Sequence, residues 1–499
     1  MKIRVLAPGP LLAVFLPLAG GAGIHAPGDR LYIAHALGGL PGGNGSSFPY
    51  AVSAHSAVTG SAGGTAFSVE AFLWTPGDGM RHLGDLGGHP FGQGRAINEL
   101  GHVVGWSVSP SGNEAFLWSP ESGMIGLGDL PGGAFASRAN GINDFDQVVG
   151  QGAIDTSVNP PRGPMEAFLW TAETGMVGLG DLPGGQYIST AIDINNAGQV
   201  VGVSSSAEAY FGEAFIWDAA NGMRRLGALP NGTTPGNPAG INELGQVVVG
   251  SFVDWLGQPS LWDPETGYTP LGTLPGPWPA AGALALNDVG QVVGIAYRDI
   301  GTPPFPFEPF VWDADRGMQA LNELMAAGTP PQYARLENAM GVNNAGQIVC
   351  DAWYPEEAVL LDPFTLGDMD CDGVVDENDL PLLRLAIRDL AAYEQAHPDC
   401  PGRWAADVNQ DAELTHADLL ALQAFLSRES AGDQHGALPR CPGDLDGDGA
   451  VSVHDLATLL AHFGEDGAGP AAGDLNGDGL VDLTDLRRLL ENFGAPCDS

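Results

Sequence analysis

Lysine is all but missing from this sequence. Lys2 is the only one, and arginine supplies the rest of the 19 basic side chains, against 60 acidic ones. The net charge of −41 excludes a nucleic-acid backbone as partner, because phosphates would meet repulsion instead of neutralisation. It favours divalent cations. Cysteine is scarce, five in 499 residues, so the chain is no disulfide scaffold. Beyond the N-terminus no apolar run is long enough to span a membrane. No helical periodicity of useful length occurs before residue 370. The GxSxG, HExxH and Walker patterns are absent, which removes the readable signals of nucleophilic, zinc and nucleotide chemistry. His82, His89 and His102 cluster in sequence without recurring later, which reads as surface histidine and not a metal site.

What is present begins with a secretory pattern. Lys2 and Arg4 precede the short apolar stretch "LLAVFLPLAGGAG", so residues 1–26 are expected to be a signal peptide, cut near Ala22. The expected location is extracellular or at the cell surface. In an exported chain cysteines oxidise. Cys371–Cys400 and Cys441–Cys497 are the expected bridges, leaving Cys350 as a buried thiol.

Glycine (74) and proline (39) are abundant without a collagen period, which suits many short strands and turns. The line "INxxGxVVG" recurs with its Asn at Asn98, Asn143, Asn195, Asn242, Asn287 and Asn343, and a weaker copy places Ser53 there. Each copy leads to an "EAFLW"-like run ending at Trp74, Trp118, Trp170, Trp217, Trp262 or Trp312, with a worn seventh version at residues 356–362. A turn and "GMxxLGxLPGG" follow. Four short runs per unit, rich in Val, Ile, Phe and Trp and broken by Asn, Gly and Pro, predict four strands. Seven such units predict a mainly β fold, a seven-bladed β-propeller over residues 27–365. The segment "LYIAHALGGLPGG" (31–43) matches the end of a unit, and the seventh unit lacks a clear fourth strand. The N-terminal strand is therefore expected to complete the last blade and remove both open edges. The repeat resembles the HAF family of extracellular repeats over roughly residues 31–365, with "EAF" in place of "HAF". That resemblance implies little about activity.

Alternating strands put the "INxxG" and "WxPxxG" turns on one face, and the "LPGG" linkers and variable post-"VVG" loops on the other. The second face is the expected recognition surface. Its loops carry Trp106, Tyr210, Phe211, Trp255, Tyr297, Phe305, Phe307, Trp353 and Tyr354, and its linkers Phe91, Phe135, Tyr187 and Trp278. Such rings stack on sugars or apolar surfaces, or else fill gaps between blades. The repeated Asn residues read as turn formers and the six Trp as blade core.

After residue 362 the composition turns acidic and helical patterns appear. Four twelve-residue loops repeat: 368–379, 407–418, 444–455 and 474–485. Oxygen-bearing side chains at positions 1, 3 and 5, a glycine at 6, a carbonyl at 7 and acids or hydroxyls at 9 and 12 suit the six to eight oxygens that Ca²⁺ takes. The expected ligands are Asp368, Asp370, Asp372, Val374, Asp376 and Asp379; Asp407, Asn409, Asp411, Glu413, Thr415 and Asp418; Asp444, Asp446, Asp448, Ala450, Ser452 and Asp455; and Asp474, Asn476, Asp478, Leu480, Asp482 and Asp485. In the second loop Ala412 stands where glycine belongs. After the last two loops, Leu456, Leu459, Leu460 and Phe463, and likewise Leu486, Leu489, Leu490 and Phe493, are expected on one helix face.

A loop followed by a helix, with none leading in, resembles the type I dockerin. The resemblance implies two small α-helical dockerin-like calcium modules, 366–432 and 433–499, and a docking partner that is a cohesin-like or cell-surface protein. The Ser-Thr pair of the family at loop positions 10 and 11 is absent; those positions hold Glu377-Asn378, His416-Ala417, Val453-His454 and Leu483-Thr484. Three function classes stay open: a binding platform with a calcium-folded tail, a dockerin-tethered hydrolase or lyase of polysaccharide, and a surface-layer component.

Overall fold

The computed structural model describes residues 25, 27–65, 68–133, 136–154, 165–185, 188–207, 209, 212–230, 232, 234–235, 237–250, 257–298, 307–326, 329–330, 335–352, 356–372, 374–398, 400–410, 413–430, 451, 456, 459–460, 463, 475, 481 and 483–491. They form two compact units. One reaches Leu366 and includes Arg403–Glu413; the other holds Gly367–Gly402 and the chain from Leu414 on.

The first unit contains seven four-stranded antiparallel sheets. Blade 4 is representative: Ser189–Ile194, Val200–Ser204, Glu213–Asp218 and Gly222–Arg225. Successive first strands touch one another around the ring, so they line the axis. Each sheet is covered on both faces, which is why "VV" pairs such as Val200 and Val201 are both fully buried. The glycine that follows them makes room for the "AF" phenylalanine: a Cβ on Gly202 would sit 2.7 Å from the Phe215 ring. Phe72, Phe116, Phe168, Phe215 and Phe310 are accordingly fully buried.

The ring closes as the sequence predicts. Arg30–Ala36 pairs antiparallel with Glu357–Thr365, from Arg30 against Thr365 to Ala36 against Val359, as the outermost strand of blade 7. Its Leu31 and Tyr32 are buried.

No blade has a core of its own. One cluster joins Val104, Leu117 and Leu130 of blade 2 to Ile142, Val148 and Phe168 of blade 3. Two expectations need correction here. Of the six Trp, Trp118 and Trp312 are buried, whereas Trp74, Trp170, Trp217 and Trp262 are only partly buried against these clusters, because the smaller Phe takes the central place. The "LPGG" linkers are also more than surface loops. Their Leu40, Leu130, Leu182, Leu229 and Leu274 are buried between blades.

The repeated asparagines form turns and also join blades. Asn143 Oδ1 accepts from the N–H groups of Phe145 and Gln147 inside its own turn. Its Nδ2 crosses to the next blade. The bonds run Asn98 to the Asn143 carbonyl (3.0 Å), Asn143 to Asn195 (3.1 Å), Asn195 to Asn242 (3.1 Å), Asn242 to Asn287 (3.2 Å), Asn287 to Asn343 (2.8 Å) and Asn343 to Ser53 (2.8 Å). Ser53 has no amide, so the belt is open between blades 1 and 2; only the neighbouring rung remains there, the Ala54 N–H donating to the Glu99 carboxylate as the N–H groups of Glu99, Asp144, Asn196, Glu243 and Asp288 donate to the next blade.

In the second unit the helices are Asp379–Arg388, Leu390–Ala396, His416–Ser430 and Leu483–Glu491. Cys371 and Cys400 are bonded as expected, and Cys350, in the first unit, is a buried free thiol. Val451, Leu459, Val481 and Leu489 form a small core. The expected apolar helix face is covered only in part: Leu460, Phe463 and Leu490 are exposed, since a core this small covers only one residue of each Leu-Leu pair, and Phe493 lies outside the described residues. No helix among the described residues is long and apolar enough to cross a membrane. The expected signal peptide, apart from His25, and the Cys441–Cys497 bridge lie outside the described residues.

Candidate functional site

In a ring of repeats, side chains that recur usually hold the ring together, and the exceptions are free for other work. The recurrent Glu of "EAF" accepts from a linker glycine: Glu114 from Gly128, Glu166 from Gly180, Glu357 from Gly38. Ser47, Ser137 and Ser189 each link a linker carbonyl to a third-strand N–H. His102 replaces the usual Gln and bonds to Asp146 at 2.8 Å, a joint between blades. None of these points to chemistry.

The exceptions gather at the axis. In every blade a bulge in the first strand displaces the residue three before the Asn position, and that residue differs in each blade: Tyr50, Arg95, Asn140, Ile192, Ala239, Leu284 and Met340. Tyr50, Leu284 and Met340 line a cleft of ≈ 380 Å³ together with Phe48, Tyr297 and Asp351. Phe48 begins a first strand, and Tyr297 and Asp351 end second strands, so the cleft opens on the linker face expected for recognition. Tyr297 meets Phe307 edge-on at 5.9 Å, and both rings stay partly exposed.

The Asn338 side-chain and backbone N–H groups clamp the Asp351 carboxylate at 2.8–2.9 Å. Burial raises the Asp351 pKa despite those bonds. Burial, then the charge of Asp351, raises Glu337 as well. In blade 6 burial pushes Glu308 up to about 7.

Of the predicted loop aromatics, Trp106 lies beneath the Arg138 guanidinium at 4.8 Å, Phe91 packs on His89 at 4.9 Å, and Trp278 is partly buried in a core cluster. Tyr210, Phe211, Trp255, Phe305, Trp353, Tyr354, Phe135 and Tyr187 lie outside the described residues. Sequence reasoning missed Phe48, Tyr50, Arg95, Arg138 and Asp351. Aligning the units on the Asn and reading the columns three and five residues upstream would have exposed the first four.

The second candidate is the first acidic loop. Carboxylate oxygens of Asp368, Asp370 and Asp372 lie within 4.8 Å of one another. Asp379 is buried and accepts from the N–H groups of Met369 (2.6 Å), Asp370 (3.3 Å) and Asp376 (2.7 Å), so it ties the loop's ends together. Asp376 accepts from Asn378, and the Val374 N–H donates to Asp372. The second loop repeats this geometry. Thr415 donates to Asp418 at 2.8 Å as Asp376 does to Asp379, and position 4 is left-handed in both, at Cys371 (φ 59°) and Gln410 (φ 58°). Asp407 and Asp418 are buried. Asn409 and Glu413 are described; Asp411 is not. Outside the described residues lie Asp444, Asp446, Asp448, Ala450, Ser452 and Asp455, and Asp474, Asn476, Asp478, Leu480 and Asp482; the side chain of Asp485 is likewise not described.

The donor set fits a hard cation: oxygen only, acidic, and drawn together against its own repulsion. Residues 442–493 match the dockerin type I domain. No curated protein matches the chain. Among solved structures the chain is similar to TolB from Acinetobacter baumannii (11% identity, 59% of this chain and 75% of that one, TM-score 0.34). Similar too are the β-propeller domain of the Trilobed protease from Pyrococcus furiosus (13%, 56% and 81%, 0.39) and a gluconolactonase from Xanthomonas campestris (10%, 69% and 96%, 0.34).

Proposed function

We propose that this protein is exported, that its propeller is a binding platform, and that its calcium-folded tail docks it to a cohesin-like or other cell-surface partner. The observation that carries the reading lies in the segment matching the dockerin type I domain. There Leu459 and Leu489 are buried while their neighbours Leu460 and Leu490, and Phe463, remain exposed. Exposed apolar side chains on the helices of an acidic module are what a partner would cover. Convergence of Asp368, Asp370 and Asp372 supports calcium as the ion that the four loops take. Export is supported by the N-terminal pattern and by the Cys371–Cys400 bridge, which suits an oxidising compartment. On this reading residues 1–26 are the signal peptide, 27–365 a propeller of HAF-like units, and 366–432 and 433–499 the two modules.

Calorimetric titration of calcium into the metal-free protein tests it. Three or more bound ions are expected; fewer would overturn the assignment of the loops.

A second reading, a polysaccharide hydrolase or lyase tethered by the tail, is supported by the raised carboxyls of Asp351 and Glu337 near the cleft. Hydrolysis or elimination products from a glycan panel, lost in Asp351→Asn, would favour it over the platform.

A further inference from the structure

Two of the chain's arginines occupy an unexpected place. Arg95 stands three residues before Asn98, and Arg138 five before Asn143, on the first strands of blades 2 and 3. The same offsets hold the cleft residues Tyr50, Leu284 and Met340 (three) and Phe48 and Asn338 (five). Both arginines therefore stand on the first strands at the level of the aromatic cleft. Arg95 confirms this directly: its guanidinium lies 4.7 Å from the centre of the Tyr50 ring.

Each guanidinium is held flat. Arg138 lies over Trp106, whose Nε1–H donates to Gln93 Oε1 at 3.2 Å. Stacking occupies a face of each guanidinium and leaves its N–H edge for a planar acceptor. Among the described residues neither arginine is paired with a carboxylate, although acids outnumber bases threefold in this chain. Arg95 Nε is buried with no hydrogen-bond partner. Burial first, and then the charge of Arg95, lowers the Arg138 pKa. Two like charges, partly desolvated and without a counter-ion, are costly to hold together, and an anion between them relieves the cost.

We propose that the linker-side end of the first strands forms a mouth that binds a uronate-type saccharide. Its carboxylate sits on Arg95 and Arg138, and its ring lies against Phe48, Tyr50 and Tyr297. The ligand thus matches a mouth that is cationic at blades 2 and 3 and aromatic at blades 1 and 6. This assignment rests on the reading of the propeller as a binding platform and names its ligand class.

The test is calorimetry on the calcium-loaded, desalted protein with three probes: trigalacturonate, its methyl ester and neutral cellotriose. Trigalacturonate is expected to bind, the ester more weakly. Arg95→Gln and Arg138→Gln should each weaken trigalacturonate roughly 10- to 100-fold, the range for losing a charge-assisted hydrogen bond. Arg138→Lys should fall between wild type and Arg138→Gln, and thermal melts check that all three variants fold. Equal binding of acid and ester, or trigalacturonate binding unchanged in folded Arg variants, overturns the assignment. If cellotriose binds as well as trigalacturonate and the variants leave both unchanged, the platform stands and the uronate site falls. If none of the three binds, the uronate site falls and the platform has no saccharide ligand of this kind.

Discussion

The side-chain amide of Asn343 donates to the backbone carbonyl of Ser53 at 2.8 Å, across 290 residues of chain. That bond joins blade 7 to blade 1 on the turn face, while Arg30–Ala36 completes blade 7 at the rim. The same Asn accepts from the N–H groups of Ala345 and Gln347 and is buried, so no water stands ready to replace those bonds. Asn343→Ala should cost about 2–3 kcal/mol, read as a lower urea midpoint with unchanged slope.

The converse substitution repairs the gap. Ser53→Asn places an amide where the belt is open and where the Ser hydroxyl makes only two long bonds, each 3.3 Å, to its own turn. A gain of about 0.5–1.5 kcal/mol is expected, visible as a higher melting temperature. No gain would mean that the Asn98 carbonyl is out of reach.

His35 on the closing strand pairs with Asp362 on its partner at 2.9 Å. The hydrogen bond to Asp362 raises the His35 pKa above 6.5 against the effect of burial. Burial would raise Asp362, but the bonds from His35 and Gln347 outweigh it and hold that carboxyl below 3.8. The histidine contribution is complete below pH 6.5 and lost as pH rises through the raised value. The aspartate contribution is present above pH 3.8 and lost as pH falls through the lowered one. The pair therefore stabilises closure most between those limits, by roughly a few tenths of a kcal/mol because both groups are well exposed. Wild type minus His35→Gln stability, compared at pH 5 and pH 8.5, should be larger at pH 5.

Cys350 is fully buried and burial raises its thiol pKa well above the ordinary value, so in the native state it should resist alkylation. Cys371 and Cys400 are bonded and should resist it too until reduced. Mass spectrometry after iodoacetamide should show Cys350 labelled only on unfolding. Cys400→Ser opens a loop of 29 residues and should cost the second unit about 2–4 kcal/mol, read by limited proteolysis.

Chelation should lower the melting temperature of the second unit first, because uncompensated carboxylates at Asp368, Asp370 and Asp372 repel one another. Asp370→Asn with Asp372→Asn should remove one ion from the calorimetric count. An unchanged count would exclude this loop as a site.

Blade number and ring closure were legible because Asn, Gly and Trp recur in the same order from unit to unit and "LPGG" marks the phase of the first strand. The asparagine belt was not, because a turn-forming side chain does not announce a carbonyl 45–56 residues away. The linker leucines were hidden by the Pro-Gly-Gly beside them, which reads as surface. For the candidate site, the conspicuous signal is the aromatic content of the variable loops, whereas Arg95 and Arg138 lie inside strands, at positions where the repeat stops repeating. The acidic loops were legible residue by residue, since one ion dictates every second position. The role of Asp379 in binding the backbone of its own loop was not.

The sealing strand, Arg30–Ala36, emerges early in synthesis, while its mate, Glu357–Thr365, emerges only after the other blades. Until then the nascent ring carries a loose ribbon at one end and a bare edge at the other. Two half-made copies in proximity could satisfy each other, one lending its ribbon to the second. Solitary rings thus depend on intramolecular sealing outpacing exchange, and crowded expression should yield interlocked pairs that part only on unfolding.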